Sequence, residues 1–261
     1  MTPRSRFPAQ IPSTKNASPA GRATATGNAG ASLRSVPLVA PSTSQGHGLD
    51  SPALRERMVQ RLAAQGVTDR SVLAAMGSVQ RHLFVDSALV NQAYEDTSLP
   101  IGWGQTISKP NVVARMLELL RQGSTGPLGR VLEIGTGCGY QAAVLSHLAR
   151  EVYSIERVRG LHDRARENLR RMSLANVHLL FGDGMAGFLK GAPYAAIIAA
   201  AGGDALPPAW IDQLAVGGRL VAPLATVGAQ QALLVVDKTP QGVRQTLLEA
   251  VQFVPLKSGL A

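Results

Sequence analysis

The chain has 261 residues, a net charge of +9 and 45% hydrophobic residues, enough for one large domain or two small ones with a genuine core. No apolar run approaches the roughly 18 residues of a membrane span. A single cysteine, Cys138, excludes an internal disulfide and fits a reducing, cytoplasmic setting. Arg4, Arg6, Lys15, Arg22 and Arg34 place +5 of the charge in residues 1–49, which hold no acid. The remaining +4 leaves residues 50–261 only mildly basic, so the charge does not by itself point to nucleic acid.

Residues 1–49 are rich in Pro, Ser, Thr, Ala and Gly and poor in large apolar side chains. Such a segment cannot bury enough surface to offset its ordering entropy, and a disordered basic extension is expected. It lacks the apolar centre of a secretory signal. It shares the Arg- and Ser-rich, acid-poor composition of an organelle transit peptide, although a plain tail is the simpler reading. The folded domain is expected over 50–261.

Ser51-Pro52 opens a helix with a cap and a first-turn proline, and Gly66 ends it after Gln65. Thr68 or Asp69 caps a second helix carrying Val72, Leu73, Met76 and Val79. Together these helices, over about 51–90, read as a cover on the core that follows. Leu99 to Pro110, LPIGWGQTISKP, reads as a loop mixing apolar residues, glycines, a tryptophan and the polar Gln105, Thr106, Ser108 and Lys109. Loops that carry function have this mixture, although Ser108 also suits a plain turn or an early helix cap. Pro110 then starts a helix with Val112, Val113, Met116, Leu117 and Leu120.

The central stretch is Arg130 to Glu156, RVLEIGTGCGYQAAVLSHLAREVYSIE. It reads as a strand, a glycine loop, a helix from Tyr140 to about Ala149, and a strand from Val152 to Ile155. Gly135, Gly137 and Gly139 let the backbone turn sharply and let a ligand approach the main chain. Glu156 follows the first glycine by about 20 residues, where a carboxylate can accept from both hydroxyls of a ribose. The dinucleotide fingerprint G-x-G-x-x-G is not matched, because Tyr140 stands where its third glycine would be. E-x-G-x-G-x-G from Glu133, with a following strand-end acid, is the pattern of S-adenosyl-L-methionine (AdoMet) methyltransferases. A glycine-rich turn without a ligand is the simpler alternative. Cys138 suits the loop as a small residue rather than as a reactive thiol.

Further along, Gly160 to Met172 is an arginine-rich helix whose charges form a solvated face. Asn176 to Phe181 is a strand ending at Gly182-Asp183-Gly184, where the acid faces the crevice of an open α/β sheet and can accept from an adenine amino group. Strands are expected at Ala195–Ala200 and at Arg219–Pro223 after a Gly217-Gly218 turn. A short helix over about 208–214 lies between them, and an antiparallel pair, Ala232–Asp237 and Val243–Val254, closes the sheet. Alternating strands and helices give a mainly parallel, doubly wound α/β sheet with an antiparallel C-terminal edge, a Rossmann-like fold. The scattered histidines and single cysteine offer no metal-ligand spacing.

LPIGWGQTISKP at 99–110, VLEIGTGCGYQAAVL at 131–145, Glu156, GDG at 182–184 and FVPL at 253–256 together resemble the protein-L-isoaspartate O-methyltransferase family. The resemblance spans about Ser51 to Leu260, and the pairing of the QTIS segment with the glycine loop is its most specific part. It implies a repair enzyme that uses AdoMet to methylate the free carboxylate of L-isoaspartyl, and some D-aspartyl, residues in damaged proteins and peptides. It implies Ser108 as the active-site residue and Glu133, Gly135, Thr136, Gly137, Cys138, Gly139, Glu156, Asp183 and Gly184 around the cofactor. Gln105, Thr106, Ile107, Val254 and Pro255 are assigned to the substrate. A monomer without a metal, nucleic-acid or membrane partner is expected. Three positions depart from the family pattern: Cys138 replaces a serine, Ala195 an acid and Ala200 a threonine, the last two expected near the sheet's crevice. The nearest alternative is a methyltransferase of the same fold acting on another small-molecule or protein acceptor.

Overall fold

A computed structural model describes residues 52–226 and 230–261. The expected extension over residues 1–49 lies outside the described residues. Two helices come first, α1 (Pro52–Ala64) and α2 (Arg70–Ser78). Gly66, at φ +101°, turns the chain between them. Asp69 caps α2 by accepting from the Ser71 and Val72 amides, and its second oxygen accepts from the buried Arg121 at 2.9 Å. Arg121 ends α3 (Pro110–Arg121), so one carboxylate fixes the cap and joins two helices. The faces carrying Met58, Leu62, Val72 and Met76 share one core with Met116, Leu117 and Leu120 of α3.

Residues 99–107 are not a loop. They form an antiparallel hairpin of β1 (Leu99–Gly102) and β2 (Gln105–Ile107). Leu99, Ile101 and Ile107 point inward, and Trp103 and Gly104, at φ +52° and +68°, make the turn. Proline, two glycines and an irregular register between Pro100 and Gly102 hide the alternation in the sequence.

The main sheet holds β3 (Leu128–Ile134), β4 (Ala149–Glu156), β5 (Val177–Phe181), β6 (Tyr194–Ala199), β7 (Leu214–Ala225), β8 (Gln231–Thr239) and β9 (Gly242–Val251). Their order is β5-β4-β3-β6-β7-β8-β9, with β8 and β9 antiparallel to their neighbours and the rest parallel. Helices α4 (Tyr140–Ser146), α5 (Arg159–Arg170) and α6 (Pro208–Gln213) pack on the two faces. Period-2 alternation divides the core. Val131, Ile198 and Val221 face the α3 and α4 side, while Leu132, Ile197 and Leu220 face Trp210 of α6. From β3 the chain winds outward through β4 and β5, then restarts at β6 on the other side. The carboxyl ends of β3 and β6 therefore flank the switch point, where ligands of such sheets bind.

Element boundaries at three places, and the position of one residue, differ from the sequence reading. The α4 helix stops at Ser146 and β4 begins at Ala149, because Leu128 already pairs with Ala149. Gly217-Gly218 lies inside β7, opposite a register shift in β6, rather than in a turn before the strand. The last strand ends at Val251, and Val254 and Pro255 lie beyond it. That segment folds back where the Gly202 amide donates to the Val254 carbonyl at 2.9 Å and the Leu256 amide to the Gly202 carbonyl at 2.7 Å. Finally, Ala195 is not at the crevice. It sits near the start of β6, where a Cβ on Gly129 would lie 3.0 Å from its own. Ala200 alone of that pair reaches the crevice.

Candidate active site

The glycine loop leaves β3 at the switch point. Its first turn is held by the Gly135 amide donating to the Ile155 carbonyl at 2.9 Å. Gly135, Gly137 and Gly139 all have positive φ, +88°, +57° and +93°, a conformation an L side chain resists. Space is tight as well: a Cβ on Gly137 would lie 3.2 Å from Ile101 of the hairpin, and one on Gly139 3.2 Å from Leu169 of α5. Glu156, at the end of β4, closes the cradle. Its Oε2 accepts from the Gly137 amide at 2.9 Å and its Oε1 from the Val158 amide at 2.9 Å. Each carboxylate oxygen keeps a second lone pair for a further donor.

Beneath the loop lies a buried polar chain. Ser154 donates to Glu133 Oε2, and its hydroxyl meets the Thr136 hydroxyl at 2.6 Å. Burial pushes the Glu133 carboxyl up to about 8; the Ser154 and Gln141 side chains oppose the shift and the charge of Glu156 adds to it. Glu133 Oε1 and Gln141 Nε2 make no close hydrogen bond among the described residues, although the two side chains lie near enough for Gln141 to act on the Glu133 carboxyl. Gln141 borders the space between hairpin and loop, whereas Glu133 lies fully buried beneath it. Cys138 is buried, and burial pushes its thiol up. What it contributes to the loop is its carbonyl, which accepts from Asn168 at 2.9 Å.

Asp183 and Gly184 follow β5. Gly184 is buried; a Cβ there would lie 2.6 Å from Ile134, and its carbonyl accepts from the Trp210 indole at 2.8 Å. The Asp183 carboxylate is set into the turn, accepting from the Met185 amide at 2.9 Å and the Gly259 amide at 2.6 Å. Gly184 borders the cavity at the switch point, with Gly135, Glu156, Ala200 and Pro255.

Three spaces meet along β2. The switch-point cavity, of 90 Å³, is bordered by Gln105 and Thr106 on its hairpin side. A smaller one, of 40 Å³, lies between hairpin and glycine loop and is bordered by Ile107, Ser108, Thr136, Cys138 and Gln141. An open groove of 610 Å³ runs along the other side, between Thr106, Ser108 and Lys109 and the segment Ala250 to Val254. Thr106 borders all three, and Ser108 borders both the groove and the small cavity. Ser108 is not the cap of α3, which is Lys109. Its hydroxyl has no hydrogen-bond partner among the described residues, while its carbonyl accepts from Arg81 at 2.7 Å.

The structure brings Gln105, Thr106, Ile107, Ser108, Gly135, Thr136, Cys138, Glu156, Gly184, Val254 and Pro255 to the borders of these spaces, while Gly137 and Gly139 complete the loop, Glu133 lies buried beneath it, Asp183 is set back in its turn and Ala195 lies away from the crevice. Sequence reasoning missed Arg81, Gln141 and Ser154. Gln141 had a faint signal, a polar side chain in an apolar helix face. Ser154 is found only through strand register, since it lies directly beside Glu133.

Residues 53–261 match the family model described as protein-L-isoaspartate(D-aspartate) O-methyltransferase. A protein-L-isoaspartate O-methyltransferase of Leptothrix cholodnii is 63% identical over 222 residues, 84% of this chain and 78% of that one. A solved protein-L-isoaspartate O-methyltransferase superposes with a TM-score of 0.72 at 29% identity, covering 79% of this chain and 67% of that one. A Plasmodium falciparum beta-aspartate methyltransferase in complex with S-adenosyl-L-homocysteine (AdoHcy) gives 0.69 at 25% identity, over 78% of this chain and 98% of that one.

Proposed function

The chain belongs to the protein-L-isoaspartate(D-aspartate) O-methyltransferase family, and we propose that it repairs damaged proteins by moving a methyl group from AdoMet to the free carboxylate of L-isoaspartyl and D-aspartyl residues. The observation that carries the mechanism is the position of Ser108, on the wall shared by an open groove and a cavity against the glycine loop.

AdoMet, when bound, supplies a methyl carbon already activated by its sulfonium. Glycines 135, 137 and 139 with Thr136 and Cys138 would form its cradle, and Glu156 would accept from the ribose. Asp183 and Gly184 would serve the adenine end, and Gln141, with Glu133 beneath it, the amino-acid end. The acceptor carboxylate is ionised at pH 7, so no general base is required. The site agrees with this: of the groups bordering the small cavity, the Cys138 thiol and the Tyr140 phenol are both pushed up by burial, Tyr140 to about 12, and neither serves as a base. Ser108 donates its hydroxyl to the carboxylate and orients it. Gln105, Thr106 and Ile107 exclude water from the line of transfer, and orientation supplies much of the rate.

The groove takes the damaged segment as an extended peptide between residues 106–109 and 250–254, with Val254 and Pro255 at its inner end. Main-chain contacts there tolerate varied flanking sequence. The helices within 52–90 serve as a cover on the core, packed against α3. The enzyme is taken to act as a monomer in the cytoplasm, the compartment that a sequence with a single cysteine suits. No helix among the described residues is long and apolar enough to cross a membrane. Replacing Ser108 with Ala tests the mechanism. It leaves AdoHcy affinity unchanged and lowers kcat about 100-fold, the scale of one lost donor. Unchanged turnover removes Ser108 from the role.

A further inference from the structure

Arg81 is fully buried and is among the largest side chains in the core. Among the described residues no carboxylate lies within ion-pair distance of it. Burying an unpaired guanidinium costs several kcal/mol, and desolvation lowers its pKa here. What compensates is a set of backbone carbonyls. Nε donates to Ala93 at 2.8 Å and Nη2 to Ser108 at 2.7 Å, with Thr97 at a long 3.5 Å, while Nη1 makes no close hydrogen bond among the described residues, the Tyr140 side chain being its polar neighbour. The guanidinium also lies over the Tyr140 ring, 4.8 Å from its centroid. Tyr140 is the first residue of α4, directly after the glycine loop. One rigid fork therefore touches three parts: the end of the helical cover, the backbone of Ser108, and the helix that the glycine loop opens. A core methionine would fill the same space without the desolvation cost, so plain packing does not account for a cation here.

We infer that Arg81 is a positioning residue for methyl transfer, holding the Ser108 backbone in fixed relation to the glycine-loop helix so that the Ser108 hydroxyl meets the acceptor carboxylate in line with the donor. This rests on the role assigned to Ser108 above. Arginine suits the task because its planar fork serves two separated carbonyls at once, whereas lysine offers a single point donor.

The test is a double-mutant cycle with Arg81→Lys and Ser108→Ala. An isoaspartyl peptide is the acceptor, AdoHcy affinity is measured by calorimetry, and folding is checked by circular dichroism. Arg81→Lys is expected to keep AdoHcy affinity within about twofold while kcat falls about 100-fold, the cost of roughly 1 Å of misplacement. On the Ser108→Ala background the same change is expected to cost almost nothing, because the two residues act through one group. Three results overturn the inference: a folded Arg81→Lys enzyme with wild-type kcat, losses that simply multiply in the double mutant, or a collapse of AdoHcy affinity in step with kcat. A fully active Ser108→Ala enzyme instead removes the role of Ser108 itself. Should Arg81→Lys not fold, the wild-type Arg81 Nε–H resonance decides. Adding acceptor peptide to AdoHcy-loaded enzyme is expected to shift it, and an unmoved resonance overturns the inference.

Discussion

Glu133 shows how a single buried carboxyl ties the site to stability. Removal from water holds its pKa near 8, above the 4.5 of an exposed glutamate. The folded chain therefore binds this proton more tightly than the unfolded chain does. The resulting stability is fully present below about 4.5 and is lost as pH rises toward 8. Glu133→Gln removes the titration while keeping the shape. Without cofactor, the melting temperature of the wild type is expected to fall relative to Glu133→Gln between pH 5 and 8. A difference that stays constant with pH contradicts this reading. At this scale the sequence was partly legible. Glu133 and Glu156 stand out because their spacing from the glycines is chemical information. Ser154 does not, because its contact with Glu133 is created by the pairing of two parallel strands 21 residues apart. Arg81 was illegible for a similar reason: an arginine in an apolar run reads as a surface residue until its carbonyl partners, 12 and 27 residues away, are in place.

The β1–β2 hairpin is the element that closes the site. Its tip is clamped twice. Arg164 of α5 donates to the Ile101 carbonyl at 2.8 Å, and Trp103 packs so closely on Gly160 that a Cβ there would lie 2.2 Å from its ring. The switch-point cavity of 90 Å³ is well below the roughly 300–1,000 Å³ of small-molecule sites. Entry of a nucleoside is therefore expected to move the hairpin or the segment around Pro255 outward. Gly160→Ala probes the clamp. Alanine favours the helix by about 1 kcal/mol, so α5 is retained while the half-exposed Trp103 is displaced. AdoHcy affinity is expected to fall about tenfold, the equivalent of 1.4 kcal/mol, with a shift in tryptophan emission. Wild-type affinity and emission in this variant contradict the clamp. The sequence placed function in this segment but not its form, since the residues that permit the tight turn also read as loop formers. The main-sheet strands were easier, because long apolar runs between helices have few other uses.

For the whole molecule, one topological fact organises the rest. The chain reverses its direction of winding between β3 and β6, and the crevice so formed receives the glycine loop, Glu156, Gly184, Ala200 and the hairpin from distant parts of the sequence. Antiparallel β8 and β9 extend the sheet and deliver residues 250–254 to the far wall of the groove. Ala195, one of the departures from the family pattern, lies at the opposite end of β6, so it does not bear on the acceptor, whereas Ala200 borders both cavities. The mainly parallel sheet and its antiparallel C-terminal edge were legible from alternation and spacing; the order of the strands was not. The back-folded segment from Gln252 to Lys257 was not, because it is held by two main-chain bonds to Gly202 that no side-chain pattern announces. The most direct test is the transfer of labelled methyl from AdoMet to a synthetic isoaspartyl peptide against the matching aspartyl peptide. Base-labile label on the isoaspartyl peptide alone is the predicted result. Equal labelling of both peptides, or none on either while AdoMet binding is intact, contradicts it.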